Sequence, residues 1–174
     1  MRSLMVPVFL CLFCGVLSAL AQAAPVGEPY PYAAVRFLMG EWVADGPAAA
    51  GSGHFEFTPD VQGNIVVRRN HAEYPSAGDR PVANHDDLMV IYRESGTTRA
   101  IYFDNEGHVI RYAVEAGGPD AVTFLSEAAA GAPRYRLSYK KLPEGRVGGK
   151  FEVAPPGKAE EFKTYLEWTA KRKP

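Results

Sequence analysis

The stretch Phe37-Leu38-Met39-Gly40-Glu41-Trp42 decides the fold, because a long series of short strand-like segments follows it. Turn signals rich in Gly, Pro and Asn recur at close spacing from here to the C-terminus. The segments between them are rich in Val, Ile, Tyr, Phe and Thr, which is typical of antiparallel sandwiches and barrels. The sequence therefore predicts an all-β fold, an antiparallel up-and-down β-barrel of about ten strands, with a short N-terminal helical turn within residues 32–39.

Residues 1–23 have the composition of a signal peptide. Arg2 precedes an uncharged apolar run over residues 5–20, and the small residues Ala21 and Ala23 follow it. A membrane anchor is the alternative, but the run is short for a span and ends at a good cleavage site. The sequence predicts cleavage after Ala23, export to the periplasm or medium, and one barrel domain over residues 24–174.

Cysteine content and charge exclude several classes of protein. Cys11 and Cys14 are the only cysteines, and both lie in the apolar run, so the mature chain would use no disulfide. The chain has 19 Lys and Arg against 20 Asp and Glu, a net charge of −1. This balance does not indicate a nucleic-acid partner or a charged membrane surface, and no membrane span is expected after cleavage. The oligomeric state is not indicated.

Two glycine turns predict the pairing of the central strands. If residues 105–107 form a three-residue loop with Gly107 left-handed, Tyr102 pairs with Ile110. If residues 94–96 do the same, Leu88 pairs with Tyr102. Paired residues share a face. The two turns thus place one set together: Leu88, Val90, Tyr92, Ala100, Tyr102, Ile110, Tyr112 and Val114.

The opposite face of these strands holds Arg93, Arg99 and Arg111. Three arginines do not suit an apolar core, so the tyrosine face is predicted to point inward. Several apolar residues then point outward, where a partner would cover them. The strip that this leaves on the outer face includes Ile91, Ile101 and Phe103.

A third turn brings charged residues toward the predicted interior. A three-residue loop at 61–63 pairs Phe55 with Arg69, and His71 and Glu73 then share that face. An inward arginine and imidazole beside tyrosines would suit the head group of an amphipathic acid. The alternatives are an internal Arg69–Glu73 tie, or a register in which all three residues face solvent. The predicted ligand-binding set is Arg69, His71, Tyr92, Tyr102 and Tyr112.

Three short motifs are similar to those of lipocalin-like bacterial secreted domains of unknown function, within the calycin superfamily. These domains begin with Leu-x-Gly-x-Trp, and Leu38, Gly40 and Trp42 keep that pattern. A Tyr-x-Asp-x-x-Gly stretch from Tyr102 and a closing Leu-x-Trp at Trp168 fit it as well. The resemblance implies a β-barrel that binds apolar or amphipathic molecules, although a few such barrels are enzymes.

The resemblance also implies roles for particular residues. In lipocalins the tryptophan of the opening motif fills the closed end, beneath a basic residue of the last strand. Trp42 would take that place, under Arg172 or Lys171. A haem-binding branch, the nitrobindin type, takes its iron ligand from a histidine near the C-terminus. This chain has no histidine after His108, so haem is not expected.

Metal and catalytic motifs are weak. His85-Asp86-Asp87 together with His71 offers suitable ligand types, but no helical or Cys/His spacing supports a site, and a solvated loop is expected. No metal or other cofactor is predicted. Gly51-Ser52-Gly53 does not match the nucleophile motif Gly-x-Ser-x-Gly. An acid/base pair of His71 with Glu73 stays open, because it depends only on geometry.

Three functions follow as hypotheses. The first is an exported, non-enzymatic barrel that binds a small apolar or amphipathic molecule. The second is a small barrel enzyme, an isomerase or hydrolase, that uses His71 with Glu73 or a tyrosine. The third is a fully packed barrel that acts as an interaction module through the outer strip at Ile91, Ile101 and Phe103.

Overall fold

A computed structural model describes residues 32–47, 51–76, 78 and 81–174. The predicted signal peptide and its cleavage site lie outside these residues. No helix in the described ranges is long and apolar enough to cross a membrane. The described strands are Gly40–Ala44 (β1), Ser52–Asp60 (β2), Ile65–Tyr74 (β3), Ala83–Glu94 (β4), Thr97–Asp104 (β5), Val109–Ala116 (β6), Ala121–Ser126 (β7), Arg134–Lys141 (β8), Val147–Ala154 (β9) and Lys163–Arg172 (β10).

The ten strands form one closed antiparallel barrel. Each strand pairs with the next along the chain, and β1 pairs with β10 to close the sheet. Short 3-10 turns at Ala33–Leu38, Val61–Gly63 and Pro143–Gly145 are the only helical elements among the described residues. The predicted all-β, up-and-down barrel of about ten strands with an N-terminal helical turn is confirmed, and this architecture is consistent with a lipocalin-like fold.

The N-terminal 3-10 turn fills one end of the barrel. Its side chains Val35 and Leu38 are fully buried. Trp42 on β1 is 3% exposed, and its Nε1 donates a hydrogen bond to the Leu38 carbonyl oxygen at 2.7 Å. The indole also stacks on Phe55 with ring centroids 6.1 Å apart. Trp42 therefore closes this end as a structural residue.

The glycine at position 40 has a steric cause. Arg172 lies over the Trp42 ring, with its guanidinium carbon 4.0 Å from the ring centroid. It donates hydrogen bonds to the carbonyl oxygens of Met39 and, at 3.3 Å, Phe37. A Cβ on Gly40 would lie 2.7 Å from Arg172 Nη1, and Gly40 has φ +95°. Only glycine leaves this arginine room to cover the tryptophan.

Aromatic rings fill the middle of the barrel. The buried Tyr139 ring contacts Phe55, Phe57 and Phe124 at centroid distances of 5.8, 5.7 and 6.4 Å. The Trp168 ring packs edge-on against it at 5.9 Å. These contacts bring together β2, β7, β8 and β10, so side chains from opposite sides of the barrel meet at its axis.

The hairpin at residues 105–107 has the predicted register. Tyr102 pairs with Ile110 and Ala100 pairs with Tyr112. Gly107 adopts φ +90°, as a three-residue loop with a left-handed glycine requires.

The register predicted for residues 94–96 is wrong by one residue. Glu94 pairs with Thr97, so the loop is the two-residue turn Ser95-Gly96, with φ of 49° and 81°. Positive φ at both central residues is the geometry of a type I′ turn. The shift of one residue exchanges the predicted inner and outer faces of β4, so Met89 and Ile91 are fully buried inside the barrel. The residues that point outward are Leu88, Val90 and Tyr92.

The register predicted for residues 61–63 is also wrong by one residue. Asp60 pairs with Ile65, so the loop has four residues, and Phe57 pairs with Arg68. Arg68 and Asn70 therefore share the inner face. The residues predicted to point inward, Arg69, His71 and Glu73, lie on the outer face.

Strand direction defines the second end of the barrel. Because the strands alternate, the connections β3–β4, β5–β6, β7–β8 and β9–β10 all lie at the end opposite the N-terminal 3-10 turn. We call this end the mouth. The residues that reach it include Tyr74 at the end of β3, His85 near the start of β4, and Glu106 in the β5–β6 turn.

Candidate functional site

A connected set of polar side chains runs through the aromatic interior. We call it the interior polar chain, and its members are Arg68, Asn70, His85, Asp87, Tyr102 and Asp104. Its deepest part is an ion pair between Arg68 and Asp87, whose side chains are 5% and 3% exposed. Asn70 Nδ2 donates to Asp87 Oδ2 at 3.0 Å. The Arg68 guanidinium also lies 5.9 Å from the Phe55 ring centroid.

His85 links this ion pair to the mouth. Its Nε2 lies 3.0 Å from the Tyr102 hydroxyl and 3.4 Å from Asp87 Oδ2. The Tyr102 hydroxyl donates to Asp104 Oδ2 at 3.3 Å. On its other side His85 Nδ1 lies 3.3 Å from Glu106 Oε1, and the side chain is 24% exposed. The polar chain thus reaches solvent at Glu106.

Asp104 shapes the hairpin that carries Glu106. Its Oδ1 accepts hydrogen bonds from the backbone N–H groups of Glu106 at 3.0 Å and His108 at 2.9 Å. Its Oδ2 lies 2.9 Å from His108 Nδ1. The Tyr-x-Asp-x-x-Gly motif therefore has a local role, because its aspartate holds the turn and its glycine, Gly107, supplies the positive φ.

The hairpin is also tied to β4 by Asn105. Its backbone N–H donates to the Asp86 carbonyl oxygen at 3.0 Å, and its Oδ1 accepts from the Asp86 N–H at 3.1 Å. Asn105 Nδ2 donates to the Asn84 carbonyl oxygen at 3.2 Å. These bonds flank His85 on both sides, so the turn residues are held in place beside the imidazole.

Burial and hydrogen bonding set the charge states in the chain. The hydrogen bond to Asp87 raises the pKa of His85, although partial burial opposes it. Burial raises the pKa of Tyr102 far above its usual range, so its hydroxyl remains a donor. Burial works to raise the pKa of Asp104, but hydrogen bonds from His108 outweigh it and hold the pKa below its ordinary value. Asp104 is therefore a carboxylate at neutral pH.

Deeper in the barrel, Arg68 and Tyr139 face each other. Burial works to lower the pKa of Arg68, but Asp87 and the neighbouring hydroxyls raise it overall, so the guanidinium stays charged. Burial raises the pKa of Tyr139 to about 12. Neither Arg68 Nε nor the Tyr139 hydroxyl has a hydrogen-bond partner of normal geometry among the described residues.

Partly exposed aromatic rings lie toward the mouth on β3, β8, β9 and β10. We call Tyr74, Tyr135, Phe151 and Tyr165 the mouth aromatics. Tyr135 stacks on Phe151 with centroids 5.8 Å apart, and Tyr165 meets Phe151 edge-on at 6.2 Å. Tyr165 is 78% exposed. Burial raises the pKa of Tyr74, which ends β3 at the mouth, and the charges of Asp87 and Glu106 act in the same direction.

The structure divides the predicted ligand-binding set. Tyr102 and Tyr112 lie inside, with ring centroids 6.4 Å apart and planes at 79°. Tyr92 is half-buried on the outer face, where it pairs with Arg99. Arg69 and His71 lie on the outer face as well. Their predicted convergence with the tyrosines depended on the wrong registers, while a role for each residue in ligand binding stays a prediction.

Arg69 and His71 line a shallow groove of about 610 Å³ on the outer face. His71 Nδ1 lies 2.7 Å from Asp86 Oδ1, and its Nε2 lies 3.4 Å from Glu73 Oε1. The His54 and His71 rings are 5.5 Å apart. We call this feature the outer groove; its lining includes His54, Arg69, His71, Asp86, Leu88 and Phe103.

The predicted outer strip needs one correction. Ile91 is fully buried inside the barrel, because the two-residue turn at Ser95-Gly96 places it on the inner face of β4. Ile101 is half-buried on the outer face, and Phe103 is 38% exposed there. Leu88 pairs with Phe103 and takes the place predicted for Ile91 in this strip.

Sequence reasoning missed most of the interior polar chain. The prediction that His85 and Asp87 lie in a solvated loop is wrong, since both belong to β4 and point inward. The register that pointed Arg69 and His71 inward turned their neighbours Arg68 and Asn70 outward. Polar residues alternate along β3, and a register shifted by one residue would have placed Arg68 and Asn70 on the inner face.

No family model matches the chain. A segment of 82 residues, 47% of the chain, is 28% identical to a component of the tetrahydromethanopterin S-methyltransferase of Methanocaldococcus jannaschii, and covers 24% of that component. The chain is thus similar to about a quarter of that protein, an extent that shows no family.

Proposed function

We propose that this chain is an exported barrel that binds a small amphipathic molecule at its mouth. The observation that supports this most is the interior polar chain, which is set in an otherwise aromatic interior and reaches solvent where His85 meets Glu106. Buried polar and charged groups seldom stabilise a fold better than apolar residues of similar size. A few convergent polar groups within an apolar wall are characteristic of small-molecule sites.

The site suggests how a ligand would lie. The apolar part would contact the mouth aromatics, which are exposed enough to be reached from solvent. The polar part would meet His85 and Tyr102, whose hydroxyl stays protonated and would turn its hydrogen from Asp104 to the ligand. A carbonyl, hydroxyl or carboxylate oxygen on the ligand would accept from these groups. The ligand class is therefore a small aromatic or aliphatic molecule with one oxygen-bearing end.

Membership in the lipocalin-like (calycin) superfamily is part of this proposal. It is supported by the packing of Arg172 over Trp42 and by the glycine at position 40 that makes room for it. Export to the periplasm or medium rests on the signal-like composition of residues 1–23. N-terminal sequencing of the exported protein should begin at Ala24, and a mature form that retains Cys14 would contradict export with cleavage.

Ligand binding is tested by native mass spectrometry of the untagged protein, followed by titration with a fluorescent fatty-acid probe. We expect a retained small molecule or saturable probe binding. Tyr102→Phe should weaken the probe by about two- to tenfold, the loss of one hydrogen bond. Tyr92→Phe, the same change on the outer face, should leave it unaltered. Absence of any saturable binding, or equal weakening by both variants, would contradict the proposal.

The contact between His85 and Tyr102 favours one alternative, an enzyme that transfers protons. His85 would accept a proton from the substrate, and Tyr102 would donate a hydrogen bond to the oxygen on which negative charge develops. His71 and Glu73 are less suited, because both are solvated on the outer face. In an activity screen, His85→Gln should abolish turnover but weaken the probe by no more than about tenfold, the loss of one hydrogen bond, if this alternative holds. His71→Gln should change neither turnover nor probe binding.

A further inference from the structure

We propose that His85, Asp104 and Glu106 bind one divalent transition-metal ion at the mouth of the barrel. This inference does not rest on the proposed binding of an organic ligand. One ring nitrogen of His85 and one carboxylate oxygen from each acid lie within 4.8 Å of one another. Zinc binds such atoms at about 2.0–2.2 Å in a tetrahedron, so neighbouring ligand atoms are roughly 3.3 Å apart. An ion would draw the groups to that spacing mainly by moving Glu106, whose side chain is the most exposed of the three.

The three groups are held before any ion arrives. His85 lies on β4, Asp104 ends β5, and Glu106 follows in the turn that Asn105 ties back to β4. Asp104 is fixed further by two backbone N–H groups and by His108. Carboxylates that bind a metal are usually held by hydrogen bonds of this kind. Little conformational freedom is therefore lost when the ion binds.

Charge supplies an argument that is independent of this geometry. Three carboxylates lie close together here, those of Asp87, Asp104 and Glu106. Arg68, whose guanidinium is always charged, is already paired with Asp87. Among the described residues, the recorded ionic partners of Asp104 and Glu106 are imidazoles only. The Asp104 side chain is 4% exposed, so water screens its charge poorly. A divalent cation would compensate this excess of negative charge.

The ligand types select the kind of ion. An imidazole nitrogen suits zinc, iron, nickel, copper and cobalt, whereas calcium and magnesium prefer sites made of oxygen alone. Three protein ligands leave at least one position for water or for a ligand donor atom. Glu106 is well exposed, so its carboxylate can close over an ion that enters from solvent. The site is therefore expected to take zinc or cobalt and to reject magnesium.

The outer groove offers a matched control within the same chain. His71, Glu73 and Asp86 form a second group of one imidazole and two carboxylates, with contacts of 2.7 and 3.4 Å. All three side chains are substantially solvated. Similar chemistry is thus present without the buried carboxylate, and substitutions there test whether any uptake depends on the mouth.

The experiment uses untagged, EDTA-treated protein titrated with Co²⁺ and followed by visible absorption, with Zn²⁺ as competitor. We expect saturation at one ion per chain, displacement by Zn²⁺, and no competition from Mg²⁺. Glu106→Gln and His85→Gln should each weaken binding by at least about tenfold, while His71→Gln and Glu73→Gln should not. Because Glu106 lies in an exposed turn, its variant decides the outcome even if His85→Gln lowers stability.

Two results would overturn the metal site. Without saturable Co²⁺ uptake, the mouth holds an ion-pair network only. Equal weakening by mouth and outer-groove variants would mean adventitious surface binding. Probe titrations repeated in EDTA separate this proposal from the proposed function, because binding of the organic probe should persist there even when the metal site is empty.

Discussion

At the scale of single residues, the closed end depends on an arginine that covers a tryptophan. Arg172 is held by two backbone carbonyl groups of the segment before β1 and lies over the Trp42 ring. Cation–π contact and hydrogen bonds to a charged donor both stabilise this arrangement. The glycine of the opening motif is therefore a packing requirement of the arginine and not of the tryptophan itself.

Gly40→Ala should destabilise the protein by displacing Arg172. The control is Gly63→Ala, since Gly63 has a similar φ of +84° but nothing within 4 Å of its added Cβ. Both variants carry backbone strain, and Gly40→Ala should cost about 1–2 kcal/mol more, the size of a lost hydrogen bond to a charged group. Urea denaturation measures both. In an Arg172→Ala background the difference should vanish; if it persists, the steric explanation fails.

The outer-groove histidine should make stability depend on pH. Hydrogen bonds to Asp86, and then to Glu73, raise the pKa of His71 above its ordinary value. The charged form is favoured in the folded state, so this stabilisation is fully present below the ordinary imidazole pKa and is lost as pH rises through the raised one. NMR titration should show the raised pKa. Relative to His71→Gln, the native protein should lose stability as pH rises from the ordinary imidazole pKa through the raised one.

At the scale of elements, loop length decided which faces were predicted correctly. The 105–107 hairpin was predicted correctly, because Asp104 and Gly107 together specify a three-residue loop. Ser95-Gly96 and the turn 61–64 carry a glycine too, but a glycine alone does not fix the number of loop residues. A slip of one residue moves every side chain of a strand to the other face.

The composition of β3 explains why this slip went undetected. Its polar half, Arg68 through His71, places polar side chains on both faces, so hydrophobic alternation gives no preferred register there. The fold class was predictable, because it depends on the number and spacing of turns. The interior polar chain was not predictable, because it depends on which alternate residues of β3 and β4 point inward. Tyr102 and Tyr112 were placed correctly because their hairpin was.

The turn at residue 95 should accept a better turn residue. Ser95 adopts φ 49°, and Asn is favoured over Ser at this position of a type I′ turn. Ser95→Asn should stabilise the protein by a few tenths of a kcal/mol, and Ser95→Ala should destabilise it by about as much. Thermal denaturation of the pair gives the measurement. If Ala is tolerated as well as Asn, the loop does not have the two-residue geometry described.

At the scale of the whole molecule, a charged pair lies within an aromatic barrel. Arg68 and Asp87 connect β3 to β4 at a depth where neither side chain is solvated. Removing one partner of such a pair leaves an uncompensated buried charge, whereas apolar replacement of both is often tolerated. The pair therefore gives the interior a preferred arrangement, and its loss should lower the free energy of unfolding of the whole barrel.

Asp87→Asn should destabilise the protein by about 3–5 kcal/mol, the usual range for breaking a buried ion pair. The double variant Arg68→Met with Asp87→Leu should recover much of that loss. Guanidinium denaturation followed by tryptophan fluorescence measures each variant. If Asp87→Asn costs less than about 1 kcal/mol, Arg68 has another effective partner and the interior polar chain is arranged differently.

The pairing of β1 with β10 has a consequence for how the chain folds. These strands meet only when segments more than a hundred residues apart come together, as in the pairing of Trp42 with Arg172. Such distant contacts slow folding, because much chain entropy is lost before they form. Until β10 docks, β1 and β9 each present an unpaired strand edge that another chain can extend. Protection from aggregation therefore depends on the final strand, and variants that delay its docking should aggregate during refolding although the folded barrel has no free edge.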